Sequence, residues 1–143
     1  MYKNDRMNIE NTLNAATREW VDPAEQAADL GTKIIAKRGR EYMVLRFEDI
    51  AYFYIENGVS YLVDRKTRNK YIAAKPLRRI EDALNPRDFF RANKKYLINS
   101  KSVVKFRPGM KGKLELTLDP EPNERIVISQ LKARAFKEWI LLP

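Results

Sequence analysis

From Thr32 onward, apolar and polar residues alternate with a period of two, the pattern of strands with one buried face. Lys33–Lys37 and Glu41–Leu45 predict two strands around Gly39. Ile50–Ile55 and Tyr61–Asp64 predict two more, joined through Glu56-Asn57-Gly58. Asn-Gly between apolar runs is the strongest short hairpin signal. Asn69–Ala73 gives a further strand, and Pro76 then opens a helix whose Leu77, Ile80 and Leu84 line one side. Asn85-Pro86 ends it, because the residue before proline avoids helical geometry. Tyr96-Leu97-Ile98 predicts a short buried strand. Ser102–Phe106 and Lys113–Leu118 form a second hairpin across Pro108–Gly112; Asp119–Asn123, with two prolines, is a turn; Arg125–Ile128 is a last strand. Ser129 starts a C-terminal helix with Leu131, Ala135, Trp139 and Ile140 on one face and Gln130, Arg134 and Lys137 on the other. Lys132 falls on the apolar side, where its stem can lie on the core while its ammonium emerges at the end. These elements predict a mainly β domain with a few short helices.

Residues 1–31 follow another period. Ile9, Leu13, Ala16 and Trp20 fall at helical spacing and give a narrow apolar stripe. Asp22-Pro23-Ala24-Glu25 carries an N-cap, a first-turn proline and a capping-box glutamate, and Gly31 is a stop. The expectation is a short helical arm or interdomain linker, packed on the body or on a second copy, ahead of a domain at 32–143.

Charge divides the chain at the same place. The arm holds three basic and six acidic residues, a balance of −3, so the whole-chain +9 leaves +12 on residues 32–143. From Phe89 to Leu114 there are eight Lys or Arg and no Asp or Glu. Within this run the aromatic pair Phe89-Phe90 is followed by Arg91, Asn93, Lys94 and Lys95 at a predicted turn. Dense positive charge on rigid apolar anchors suits a surface that meets a polyanion. An ordinary solvated basic face is the plainer alternative.

Composition narrows the chemistry. With no cysteine there are no disulfides, thiolate metal sites or thiol nucleophiles. With no histidine, the usual general base and commonest metal ligand is missing. Neither an enzyme nor a cofactor is therefore expected. No apolar run approaches the roughly 20 residues that cross a bilayer, and the N-terminus lacks a signal-peptide core, so a cytoplasmic protein without membrane contact is expected.

The order of elements and certain residues then become specific. Phe47-Glu48-Asp49-Ile50-Ala51-Tyr52-Phe53 is an acidic-apolar strand entry. Pro76-Leu77 through Leu84 is a short helix leading into Phe89-Phe90-Arg91. Phe90 through Asn99, FRANKKYLIN, is the most diagnostic piece, and Ile126-Val127-Ile128-Ser129-Gln130 closes the set before the last helix. In these motifs, residues 47–141 resemble the LytTR-type DNA-binding domain, the C-terminal module of many bacterial response regulators of two-component systems.

The resemblance implies an elongated antiparallel β-sheet sandwich whose edge loops enter successive grooves of double-stranded DNA. It implies a regulator of transcription that binds direct repeats in promoters, with two copies per site. Three loops carry over. The first, Glu56–Ser60, offers Asn57 and also Ser60, which stands where some members place a base-reading histidine. The second offers Arg91, Asn93, Lys94 and Lys95, with Lys94 reaching the groove and Arg91 and Lys95 suited to phosphates. The third is the start of the last helix, with Gln130 in place of the usual arginine and Lys132 and Arg134 supplying charge. Glutamine pairs bidentately with adenine where arginine favours guanine.

Plainer roles stand beside these. Asn99 suits a strand-end residue bonding its neighbouring backbone. Ser129 suits an N-cap, and Gln130 an ordinary surface residue. Tyr52, Phe53, Tyr61, Phe89, Phe90 and Tyr96 are expected in the core, which disfavours a single-stranded DNA or RNA binder with an exposed stacking face. A protein-interaction module using the acidic arm is the other alternative. A carboxylate enzyme built on Glu48, Asp49 or Glu56 lacks a paired acid–base arrangement. The residues ahead of position 47 are too few for a receiver domain. The expectation is a stand-alone regulator under an upstream partner, or a piece of a longer protein.

Overall fold

The period-two segments become strands, and every pair among them is antiparallel. The computed structural model describes residues 32–143, so the expectations for residues 1–31 lie outside it. In chain order the elements are β1 (Lys33–Arg38), β2 (Glu41–Arg46), β3 (Ile50–Glu56), β4 (Val59–Asp64), β5 (Lys70–Ala73) and α1 (Leu77–Ala83). They continue with β6 (Phe89–Arg91), β7 (Tyr96–Asn99), β8 (Val103–Pro108), β9 (Leu114–Leu118), β10 (Ile126–Ile128) and α2 (Gln130–Ile140). Seven strands form one sheet in the order β2-β1-β5-β4-β3-β7-β6, and three form a second in the order β10-β9-β8. The fold is mainly β with few short helices, as the alternation predicts.

Two cores lie on opposite faces of the large sheet. On one face, Ile34, Phe53, Leu62 and Leu97 meet Leu77, Ile80 and Leu84 of the α1 region. On the other, Tyr52, Tyr54, Tyr96 and Ile98 meet Leu114, Leu116, Ile126 and Ile128 of the small sheet and Phe136 and Trp139 of α2. Strand β3 separates the two, so Ile50 through Tyr54 is buried without a break. A continuous apolar run in a strand is what covering both faces requires.

Local chemistry sets the boundaries. Asn57 and Gly58 both have positive φ, +53° and +76°, as a two-residue hairpin turn demands. Pro76 sits at the N-cap of α1, its φ of −58° preset for the helix, and its carbonyl accepts from the N–H groups of Arg79 and Ile80. Asn99 caps its own neighbourhood through the Lys101 N–H at 2.9 Å. Its Nδ2 also donates to the Ile50 carbonyl at 2.9 Å, tying the end of β7 to the start of β3.

Two expectations need correction. The buried face of α2 is Phe136 and Trp139, flanked by Ala133 and Ile140, whereas Leu131 is 95 % exposed and Ala135 also faces solvent. The i, i+4 spacing of Leu131, Ala135 and Trp139 is helical, but two aromatic rings from elsewhere, Phe90 and Phe106, decide which stripe turns inward. Phe136 packs edge-on to Phe90 and Phe106 at ring separations of 5.7 and 5.2 Å, and Trp139 lies 5.1 Å from Phe90. The second concerns Ser60. With only Asn57 and Gly58 in the turn, Ser60 belongs to β4 opposite Ile55 and is 7 % exposed.

Candidate nucleic-acid interface

The β6–β7 loop is built by two side chains that the sequence offers as DNA contacts. The Asn93 carboxamide oxygen accepts from the N–H groups of Lys95 and Tyr96 at 2.8 and 2.9 Å. Its Nδ2 donates to the Val127 carbonyl at 3.2 Å, fastening the loop to β10. The Arg91 guanidinium donates to the carbonyls of Asn93 and Lys94 at 2.8 and 2.6 Å and to the Glu81 carboxylate at 2.9 Å. A planar fork of five donors can hold three acceptors at once; an ammonium cannot match that geometry. The loop is thereby frozen with Lys94 exposed at its tip.

Lys132 joins the same construction. Its stem lies on the apolar side of α2 as expected, but the ammonium turns inward and donates to the Arg91 carbonyl at 2.9 Å instead of emerging into solvent. Lys95 is paired with the Glu124 carboxylate, and that hydrogen bond raises the lysine above its ordinary pKa. Lys94 has no carboxylate partner among the described residues.

Neighbouring elements extend this edge on both sides. The Ile55 N–H donates to the Lys95 carbonyl at 3.0 Å, which sets the Asn57-Gly58 turn beside the β6–β7 loop. On the other side, Ser129 occupies the N-cap position of α2 without a side-chain cap bond, and Gln130 is exposed one residue on. Gln130 packs so closely on Gly112 that a β-carbon there would stand 2.9 Å from its Cγ. The β8–β9 turn, Gly109–Lys113, is therefore part of the edge and brings exposed Met110, Lys111 and Lys113 to it. Arg134 lies further along α2, exposed and within 3.4 Å of Glu138.

Asn57, Lys94, Lys95, Gln130 and Arg134 thus present side chains at or near one edge. Arg91, Asn93 and Lys132 lie beneath it with their polar atoms engaged inside the fold, and Ser60 is buried in β4. Lys111 and Lys113 were not singled out by the motifs. The unbroken run of positive charge from Phe89 to Leu114 contains both and is the signal that could have found them.

A family model, the LytTr DNA-binding domain, matches residues 40–141. The chain belongs to the LytTR family. Among solved structures, this LytTR domain is similar to the LytTr DNA-binding domain of a protein described as a methyl-accepting/DNA response regulator from Bacillus cereus. The two share 17 % sequence identity and a TM-score of 0.67 over 78 % of this chain and 98 % of that one. At that identity the likeness speaks for the fold. No curated protein matches.

No group of three or more acidic, histidine or cysteine side chains able to hold a metal ion occurs among the described residues. No helix among them is long and apolar enough to cross a membrane. Burial, with Tyr54 nearby, pushes the Tyr52 phenol up to about 12, and burial, with Glu124 nearby, raises Tyr96.

Proposed function

We propose that this domain binds double-stranded DNA with sequence preference, through the edge formed by the Asn57-Gly58 turn, the β6–β7 loop, the β8–β9 turn and the start of α2. It acts in bacterial transcription regulation, in the cytoplasm, on direct repeats in promoters with a copy of the domain on each repeat. The observation that carries this reading is the β6–β7 loop, which Arg91 and Asn93 hold with Lys94 exposed and which Asn93 and Lys132 tie to β10 and α2. Lys94, Lys111, Lys113 and Arg134 neutralise phosphates, and release of the condensed counterions supplies most of the affinity. Gln130 and Asn57 read base edges, with adenine the preferred partner of Gln130. Arg91, Asn93 and Lys132 are positioning residues that fix the loop from below.

Lys95 stands between these roles, since Glu124 already neutralises it. Glu124→Gln frees the ammonium for a phosphate and removes a negative charge from the edge. Because the pair is exposed and weak, affinity for duplex DNA at low salt is expected to rise by no more than about five-fold, read by fluorescence anisotropy. Unchanged or weaker binding would show that Lys95 does not meet the backbone.

The deciding experiment is selection from a random-sequence duplex pool at two salt concentrations, with Lys94→Ala and Gln130→Ala alongside. The expected result is enrichment of a repeated motif. Lys94→Ala weakens binding to all sequences and lowers the salt slope by about one. Gln130→Ala relaxes the preference at a single position, by about 1–3 kcal/mol of discrimination. Motif-free binding that vanishes with salt would reduce the edge to a basic surface, and no binding at low salt would overturn the reading.

A further inference from the structure

The second core covers only part of the face it lies on. Strands β2, β1 and β5 form one end of the large sheet, and there no element among the described residues packs on the face shared with Tyr52 and Tyr54. The registers Ile35↔Val44, Lys37↔Tyr42, Lys37↔Ile72 and Tyr61↔Ile72 place these side chains on that one face. Val44 is 66 % exposed, Tyr42 61 % and Ile72 43 %, and they are contiguous across three strands. Antiparallel sheets tolerate a solvated face, but it is then normally polar. An exposed apolar patch rimmed by charge marks a contact surface.

The rim has one sign. By the same alternation Lys33, Lys37 and Arg46 point to this face, while Glu41, the one carboxylate on the three strands, pairs with Arg38 and points to the other. A complementary occupant is therefore apolar along its centre and acidic along its flanks. Residues 1–31 have that pattern and lead directly into β1, whose first residue is Lys33. Wound at 3.6 residues per turn, Ile9, Leu13, Ala16 and Trp20 form a stripe with Glu10 and Glu19 a quarter turn to either side and Arg18 opposite. The arm's balance of −3 meets a body of +12. Twelve residues separate Trp20 from Lys33 and reach about 40 Å when extended, ample to turn back over three strands about 10 Å across.

We propose that residues 9–20 dock as an amphipathic helix on the bare face of β2-β1-β5 within the same chain, with Ile9, Leu13 and Trp20 on Tyr42, Val44 and Ile72 and with Glu10 and Glu19 toward the Lys33, Lys37 and Arg46 rim. This surface is distinct from the DNA-binding edge and does not depend on that assignment.

The absence of cysteine allows a clean test on the full chain. Asn14→Cys, on the side of the wheel away from the stripe, is labelled with a nitroxide, and ¹H–¹⁵N peak intensities are compared with the label oxidised and reduced. The amides of Ile35, Val44 and Ile72 are expected to lose most of their intensity, independently of protein concentration. Leu13→Glu in the arm, or Val44→Glu on the exposed face, restores them while the core amides stay in place. Three outcomes overturn the proposal. One is intensities unaffected by the label. Another is broadening seen only when labelled unenriched chain is mixed with unlabelled ¹⁵N chain, which assigns the face to a second copy. The third is no broadening together with shifts at these amides on adding an oligo-dT strand, which assigns it to single-stranded nucleic acid.

Discussion

Phe136→Ala is expected to destabilise the domain by about 3–5 kcal/mol, the range for truncating a fully buried phenylalanine. The ring is fully buried and touches Phe90 of β6, Phe106 of β8 and Trp139 of its own helix. It is therefore the joint at which α2 is fastened to both sheets. Removing it opens a cavity in a close-packed core, beside Phe90 and Phe106, which strands of the two sheets hold in place. Urea denaturation followed by circular dichroism measures the loss as a shift in midpoint, with Phe136→Leu, a smaller truncation, expected to cost less than the alanine variant. A cost below about 1 kcal/mol for the alanine variant would mean that α2 contributes little to the core. Gln130 and Arg134 ride on this helix, so the same variant is expected to weaken DNA binding even under conditions where it remains folded.

That joint also explains where the sequence could and could not be followed. Strand positions came through because their signals are local: the apolar run from Ile50 to Tyr54 and the left-handed Asn57-Gly58 turn are written in neighbouring residues, although distant elements cover both faces of β3. The inward stripe of α2 did not. Leu131, Ala135 and Trp139 satisfy helical spacing, yet Leu131 is exposed, since the choice of face belongs to Phe90 and Phe106 from distant strands. The site was legible in the same uneven way. A run of positive charge pointed to the candidate edge, where the turn that carries Lys111 and Lys113 packs against Gln130 through Gly112. Charge does not say what a side chain is bonded to, however, and the partners of Arg91, Asn93 and Lys132 are carbonyls and a carboxylate supplied by the fold itself. Tyr42 and Val44 show the converse: apolar residues in a regular strand that face solvent.

The distinction between touching DNA and shaping what touches it has its largest functional consequence at Arg91. Arg91→Ala removes three hydrogen bonds from a charged donor, to the Asn93 and Lys94 carbonyls and to Glu81. Bonds to charged groups are worth about 1.5–3 kcal/mol each in favourable settings, though part is recovered here by water, because the loop lies at the surface. The net expectation is a loop that no longer holds Lys94 in one place and a loss of about 10–100-fold in affinity for a selected duplex. Arg91→Lys separates the two roles. A lysine at a phosphate contact keeps its charge, so binding and the salt slope would stay near those of the unaltered domain. A lysine beneath the loop cannot span three acceptors, so it rescues little of the affinity even though net charge is unchanged. Anisotropy titrations of both variants across a salt series distinguish the outcomes. If Arg91→Lys binds as the parent does, Arg91 is a phosphate contact and the positioning role is wrong. If it fails as the alanine variant does, the guanidinium acts through the shape of the loop, and the number of phosphates counted by the salt slope belongs to Lys94, Lys111, Lys113 and Arg134.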